Sequence, residues 1–422
     1  MVEARTLTLK MLESRLGRSV ETGEIIVAPV DLVYMHDGTF PLALQTLREA
    51  GLEDEPWDPG RVLLFIDHAA PAPTVAAATV HLSMRRWARK RGVRLYDVGS
   101  GISHQVVAEE AHARPGMIVV GADSHTITVG ALAALATGVG STDAALAMVT
   151  GRIWLRVPDQ VKVGFYGELG ELATGKDVAL QILSEAGGDG MLYKSIEFQG
   201  SGLKALDVSD RLTIANMAVE MGAKYGLFPS DNVLRAWLAE RGIEAPLLEP
   251  DPGAWYSDEM SVDLSRVEPM VAEPPGPYNA RPVSEFEGIE VDQVFIGSCT
   301  NGRYEDLVQA ARILKGRRVR DGVRCIAVPA SRRVYKRLLD EGIIGILSEA
   351  GCTVSHSTCG PCLGAHFGLL GPGEVAVSTS NRNFPGRMGH KESLVYLASP
   401  YTAAAAAVTG ELTDPRSITG VN

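Results

Sequence analysis

At 422 residues the chain is too long for one ordinary domain, and about three are expected. Hydrophobic residues make up 45% of it and charged residues 22%, which describes a globular protein with enough apolar side chains for real cores. A formal net charge of −11, with only the short basic runs Arg85 to Arg91 and Lys315 to Arg320, argues against a nucleic-acid or acidic-membrane partner. The N-terminal stretch has no apolar core of a secretory signal, and no segment offers ~18 uninterrupted apolar residues for a membrane span, so a cytoplasmic protein is expected. Five cysteines are too few, and odd in number, for a disulfide framework, and a reducing interior is the simpler assumption.

Short apolar runs alternate with helix-period segments through most of the chain. RVLLFID at Arg61–Asp67 reads as a buried strand, Thr74–Lys90 as a helix and Val93–Val98 as the next strand. MIVV at Met117–Val120 runs into the turn Gly121–His125, and Val129–Val149 reads as helical. This rhythm predicts an α/β protein with mostly parallel strands. QVKVGFY at Gln160–Tyr166 opens a second unit. Glu273–Pro282 holds four prolines in ten residues and reads as a linker, after which VDQVFI at Val291–Ile296 starts a third. The expected units are 1–159, 160–280 and 281–422, the last carrying all five cysteines.

Three cysteines sit in glycine- and proline-rich turns. Cys299 lies in IGSCTNGR, between strand VDQVFI and a helix expected from Tyr304, and Cys359 and Cys362 lie in TCGPCL. A strand-to-helix junction favours ligands because helix amides point into it. Cys325, in RCIAVP, and Cys352 read as buried structural cysteines. The same structural reading suits the turn cysteines poorly, and three others stay open on spacing. One is a thiol–disulfide oxidoreductase built on CGPC, although that reading leaves Cys299 unexplained. Another is a zinc site completed by His356 or His366. The last is a [4Fe–4S] cluster with three protein thiolates, which leaves one iron open as a Lewis acid.

A run of short motifs decides among these. VYMHDGT (Val33–Thr39), IDHAAP (Ile66–Pro71), GSGISHQ (Gly99–Gln105), GADSHT (Gly121–Thr126), TIANMAVE (Thr213–Glu220), IGSCTNGRYEDL (Ile296–Leu307), CGPC (Cys359–Cys362), STSNRNFPGRMG (Ser378–Gly389) and YLASP (Tyr396–Pro400) follow in order. In them the chain resembles the aconitase superfamily, in particular its free large subunits of the 3-isopropylmalate dehydratase and homoaconitase type. The resemblance implies three related α/β domains packed around a [4Fe–4S] cluster. Its ligands would be Cys299, Cys359 and Cys362, with one iron free of cysteine. It also implies a hydro-lyase that isomerises a hydroxy-carboxylate by dehydration and rehydration.

The resemblance gives the remaining residues roles. His68 beside Asp67, with Asp123 near, is similar to the family's acid for a departing hydroxide. His104 and His125 would orient substrate and water, Asn216 and Glu220 would bond the oxygen at the open iron, and Ser124 would meet substrate. Asn216 and Glu220 are four apart on an expected helix and so share a face. Arg382 and Arg387 supply forks for a substrate with two carboxylates, and Asn381 would touch the cluster. His36 falls where citrate-processing members carry glutamine, which weakens a citrate reading. His81, His112 and His390 read as structural or surface histidines.

Single-chain relatives have a further domain with the serine base for C–H abstraction. This chain ends at Asn422, soon after YLASP, so a separate small subunit is the expected partner. 3-Isopropylmalate is the first substrate expectation, with homocitrate or a methylated malate as alternatives. Some relatives that lose their cluster bind RNA, a reading opposed by the net charge of −11 and three intact cysteine positions.

Overall fold

The structure, a computed structural model, describes residues 4–364 and 366–418. Three sheets of mainly parallel strands form its frame, each flanked by helices. The first sheet and its neighbouring ribbon use β1 (Ile25–Pro29), β2 (Leu32–His36), β3 (Val62–Phe65), β4 (Arg94–Tyr96), β5 (Ile118–Gly121), β6 (Leu135–Gly138) and β7 (Arg152–Arg156). Strands β2 to β6 are all parallel in the order β4-β3-β2-β5-β6, while β1 and β7 pair antiparallel outside it. β2, β3 and β5 are buried along their whole length, as expected of parallel strands covered on both faces.

The second sheet joins β8 (Gln160–Tyr166), β9 (Ser195–Gln199), β10 (Tyr225–Leu227) and β11 (Asp258–Asp263), all parallel, in the order β10-β9-β8-β11. The third joins β12 (Met270–Ala272), β13 (Ala280–Pro282), β14 (Gln293–Ile296), β15 (Arg324–Ala327), β16 (Thr353–Val354), β17 (Val375–Ser378) and β18 (Leu394–Ala398). Its order is β13-β12-β18-β17-β14-β15-β16, with antiparallel pairing confined to β12 and its two neighbours.

Local chemistry sets the helix ends. Thr74 caps the helix Val75–Arg91 by accepting the Ala77 N–H, and Gly92 ends it in the left-handed region at φ 67°. Thr174 and Asp177 form a capping box at the head of the helix Gly175–Ala186. Ser399 caps the helix Pro400–Thr409, whose alanines 403–407 are fully buried. Among the described residues no helix is long and apolar enough to cross a membrane.

Four expectations need correction. The segment 129–149 is not one helix: a 3-10 segment Ser124–Leu132, strand β6 and a helix Ser141–Thr150 share it, because Gly138 and Gly140 break the apolar run. The helix Val208–Met217 stops before Glu220, which lies on a separate 3-10 turn Ala218–Met221 closed by Gly222 at φ 80°. The proline-rich stretch is no linker but the connection between antiparallel β12 and β13, so the third sheet already begins at Met270. Cys325 on β15 and Cys352 before β16 are bonded as a disulfide. Sequence pattern treated them as separate core residues; parallel pairing of β15 with β16 is what brings them together.

Candidate active site

In the first sheet the chain leaves β2 for β3 and β4 on one side, and returns to β5 and β6 on the other. Loops after β2 and β5 therefore diverge and leave a crevice at the carboxyl ends, the place where open α/β sheets bind ligands. The motif residues collect there. His36 ends β2, Asp67 and His68 follow β3, and Asp123, Ser124 and His125 follow β5. Only glycine fits at position 138 beside them, since a Cβ there would lie 2.4 Å from the Asp123 carbonyl oxygen.

Asp123 is the hub. Its carboxylate oxygens face His36 Nε2 at 3.4 Å, His68 Nε2 at 3.5 Å and His104 Nε2 at 3.2 Å, and accept the His125 N–H at 2.7 Å. The rings of His36 and His68 stack with centroids 3.7 Å apart. Gly38 donates its N–H to His36 Nδ1 at 3.1 Å, which leaves Nε2 to carry the hydrogen toward Asp123. His68 Nδ1 lies 2.7 Å from Asp67, whose other oxygen accepts the Ser103 N–H at 2.7 Å. Asp37 organises the loop by accepting the backbone N–H groups of His68 and Ala69 at 3.1 and 2.9 Å, with His81 Nε2 3.2 Å away.

These contacts push the ionisations apart. Burial works against the His68 imidazolium, but the charges of Cys359, Asp67 and Asp123 outweigh it and hold the ring well above the usual histidine range. Burial would likewise raise Asp67, yet His68, His36 and the Ser103 N–H bring it down to about 2. For His104 burial prevails over Asp123 and lowers its pKa, favouring the neutral ring. Its Nδ1 meets the Tyr34 hydroxyl at 2.7 Å. Two imidazoles on one carboxylate thus carry opposite tendencies, the pattern that separates a proton donor from a neutral hydrogen-bonding partner.

The third sheet repeats the same topology. From β14 the chain goes to β15 and β16 on one side and β17 and β18 on the other, and the loops after β14 and β17 carry Cys299 and Asn381 with Arg382. Ser298 holds φ 74°, a left-handed conformation uncommon for a residue with a Cβ, and its hydroxyl accepts the Thr300 N–H at 3.0 Å. Arg303 fixes the loop from below, donating to the Cys299 carbonyl oxygen at 2.6 Å and to Thr213 Oγ1 at 3.0 Å. The CGPC turn is hung on the first sheet: the Cys359 N–H and the Thr358 hydroxyl both donate to the Asp67 carbonyl oxygen, at 2.9 and 2.8 Å.

From the second sheet's helices come Asn216 and Glu220. Asn216 Nδ2 donates to Thr128 Oγ1 at 2.8 Å and to Cys299 Sγ at 3.3 Å, and its oxygen accepts from Thr300 Oγ1 at 3.0 Å. Asn381 Nδ2 lies 3.5 Å from the same sulfur. Glu220 faces His125 Nε2 at 2.9 Å and Arg382 Nε at 2.8 Å, and Arg382 Nη2 donates to Ser124 Oγ at 3.0 Å. Burial opposes the Glu220 carboxylate, but His125 and Arg382 hold its pKa below the ordinary value. Arg387 is not drawn into this network. Its guanidinium lies 5.5 Å from the Phe384 ring centroid, and its buried Nε has no partner among the described residues. Asn383 ties strand ends together, donating to the Ala272 and Val395 carbonyl oxygens.

Cys299, Cys359 and Cys362 are buried and unbridged. Burial pushes the Cys299 thiol up to about 12, with Cys362 adding to it, and raises Cys359 too, so the thiolates call for a cationic partner. Among the described residues His36, Asp37, Asp67 and His68 each place one ligand atom within 4.8 Å of the others. His356 and His366, the candidate fourth ligands, lie beside the Ala70 carbonyl and the Thr358 hydroxyl instead. Three buried, unbridged cysteines suit the thiolate ligation of an iron–sulfur cluster.

Sequence reasoning missed several members of this network. Asp37 and Thr300 lay inside quoted motifs, and Arg303 beside a cysteine was a visible signal. Tyr34 also lay inside one of those motifs, and Thr128 carried no signal.

The sequence profile of the aconitase family (aconitate hydratase) matches residues 10–288 and 278–410. The 3-isopropylmalate dehydratase large subunit 1 of Methanopyrus kandleri is 50% identical over 414 residues, covering 98% of this chain and 99% of that protein. The corresponding large subunit of Aquifex aeolicus is 46% identical, covering 98% and 97%. Large subunit 1 of Archaeoglobus fulgidus is 46% identical, covering 98% and 100%. The crystal structure of Thermococcus kodakaraensis aconitase X in its holo-form shares the fold at a TM-score of 0.51 and 12% identity, over 89% of each chain.

Proposed function

The chain belongs to the aconitase family, and we propose that it is the cluster-bearing large subunit of a 3-isopropylmalate dehydratase, a cytoplasmic hydro-lyase of leucine biosynthesis. The observation that carries this is the convergence of three buried, unbridged cysteines with the His68 imidazole, 2.7 Å from the Asp67 carboxylate, whose pKa is raised there. The names of relatives matched over 98% of the chain support the substrate.

Cys299, Cys359 and Cys362 would hold a [4Fe–4S] cluster, which when bound supplies Lewis acidity toward a substrate hydroxyl at the iron lacking a cysteine. The chain's own residues supply the rest. His68 holds a proton for the departing hydroxide, while Asp67 fixes its ring and stabilises its charge. His36, stacked on His68 and hydrogen-bonded to Asp123, keeps that ring from turning. His104 serves as a neutral partner to the hydroxyl, and His125 with Glu220 orients the leaving water. Arg382 offers a fork to a substrate carboxylate from beside Ser124, and Arg387, with its free Nε, is a second. Asn216 and Asn381 bond the Cys299 sulfur and damp its charge. The base for the C–H proton and the pocket for the substrate's alkyl group would come from a separate small subunit, the counterpart that "large subunit" in the relatives' names implies.

Burial of both CGPC thiols, with Cys359 raised, speaks against a thiol oxidoreductase, whose attacking cysteine needs an accessible thiolate. Anaerobic purification with iron and sulfide quantitation tests the reading. About four of each per chain are expected, with isomerisation of 3-isopropylmalate once a small subunit is added. A colourless chain holding one zinc after reconstitution would overturn it.

A further inference from the structure

Lys176 belongs to none of the groups used so far. It is the second residue of the helix Gly175–Ala186, and it is 0% exposed. The ammonium donates to the carbonyl oxygens of Thr379, at 3.3 Å, and Ser380, the two residues immediately before Asn381 and Arg382. Among the described residues no carboxylate forms an ion pair with it. Its neighbour Asp177 turns away, accepting from the Thr174 N–H and hydroxyl and from the Met270 N–H. An ammonium buried on two carbonyls is a costly arrangement unless a counter-charge compensates. Burial drives its pKa down to about 7, and the groups that resist this are Asp177, Cys362, Asp306 and Cys299. Two of those four are members of the cysteine trio.

We propose that Lys176 is a positioning residue for the cluster site: its ammonium clamps the Thr379–Ser380 carbonyls, so aiming Asn381 and Arg382, and brings positive charge that the thiolates of Cys299 and Cys362 stabilise. The inference rests on the reading of Cys299, Cys359 and Cys362 as cluster ligands. Three thiolates on a [4Fe–4S]²⁺ core leave net negative charge, which adds to that of Asp177 and Asp306 in compensating the ammonium. The clamp and the charge are separable. A methionine of similar length loses both, whereas glutamine keeps a donor for the carbonyls and loses only the charge.

The test compares full-length wild type with Lys176→Met and Lys176→Gln, each purified anaerobically and reconstituted with iron and sulfide. Three quantities are read: cluster content, the cluster's reduction potential by redox titration followed by electron paramagnetic resonance, and the half-life of its visible absorption in chelator. Both variants should shift the potential to more negative values, because reduction adds an electron that the ammonium no longer stabilises. Lys176→Met should also shorten the half-life about tenfold or more, while its cluster-free form melts no lower than wild type. Fully loaded variants with the wild-type potential and half-life would overturn the proposal. So would a loss of cluster-free stability with no change in potential, the mark of a merely structural lysine. Should the methionine variant not fold, the glutamine variant still reads the charge. A wild type that takes up no cluster would instead defeat the reading beneath it.

Discussion

Replacing Asp67 with asparagine would separate the electrostatic and positional parts of the site. The Asp67 carboxylate is buried and accepts two hydrogen bonds of 2.7 Å, from His68 Nδ1 and from the Ser103 N–H at the head of a helix. Asparagine has nearly the same shape, but its single oxygen serves one of these donors, and its amide then confronts the other. A buried donor left facing a donor costs about 1–3 kcal/mol. The lost charge adds to this. Asp67 is held at about 2 in the folded chain against an ordinary 3.8, which at 1.36 kcal/mol per unit is worth about 2 kcal/mol. That share is complete above 3.8 and is lost as pH falls toward 2. His68 carries the opposite sign, since a raised imidazole stabilises fully below its ordinary 6.5 and loses its share as pH rises through its folded value. The two describe one pair, so Asp67→Asn should destabilise by about 2–4 kcal/mol at pH 6 in urea titrations, and by less at pH 3. Catalysis should suffer more, because His68 no longer keeps its proton. With the reconstituted heteromer, kcat should fall ~10²–10⁴-fold, and the alkaline limb of its pH profile should move to lower pH. Superimposable pH profiles of variant and wild type would refute the assignment of His68 as the proton donor.

Three further outcomes follow from other parts of the molecule. The Cys325–Cys352 bridge spans 27 residues, so the Cys325→Ser, Cys352→Ser double variant should lose about 3–4 kcal/mol relative to the oxidised chain; dithiothreitol should lower the melting temperature of wild type equally and leave iron content unchanged. Arg382→Lys removes a fork shared between Glu220 and Ser124, and kcat/KM should drop roughly 10- to 100-fold with the fold intact by circular dichroism. Glu197 anchors the N-terminal helix through the Leu7 and Thr8 N–H groups, and burial raises its pKa despite them. A raised carboxyl binds its proton more tightly folded than unfolded, so its contribution declines as pH climbs above 4.5; Glu197→Gln should flatten that slope in urea titrations from pH 4 upward.

What the sequence disclosed of the fold was its periodicity. Parallel strands buried on both faces, such as Val62–Phe65 and Gln293–Ile296, appear as apolar runs, and the helix Val75–Arg91 carries its cap and terminal glycine in plain view. The misreadings share a cause. Between Val129 and Val149 a buried 3-10 segment, a strand and a helix are all apolar, and period alone does not separate them. The hairpin at Met270–Pro282 was hidden by prolines that suit an edge strand as well as a linker. At the site, motif order gathered the histidines, cysteines and arginines, but not the residues that bind them to one another. Thr128, which accepts from Asn216, stands outside every motif, and the meeting of Cys325 with Cys352 depends on which strands are neighbours.

The two halves of the site stand on one topological device. In the first and third sheets β2 and β14 lie between neighbours reached in opposite directions, and the loops that diverge there carry the imidazole–carboxylate hub in one case and Cys299 with Asn381 in the other. The CGPC turn joins them, since Cys359 and Thr358 are hydrogen-bonded to the backbone of the very residue whose carboxylate holds His68. A shift of the cysteine turn would therefore move the proton donor as well. The coupling gives a reason for the long chain: each sheet supplies one crevice, the second sheet's helices supply the amide and carboxylate that bridge them, and chemistry needing both Lewis acidity and a held proton requires the crevices to face each other.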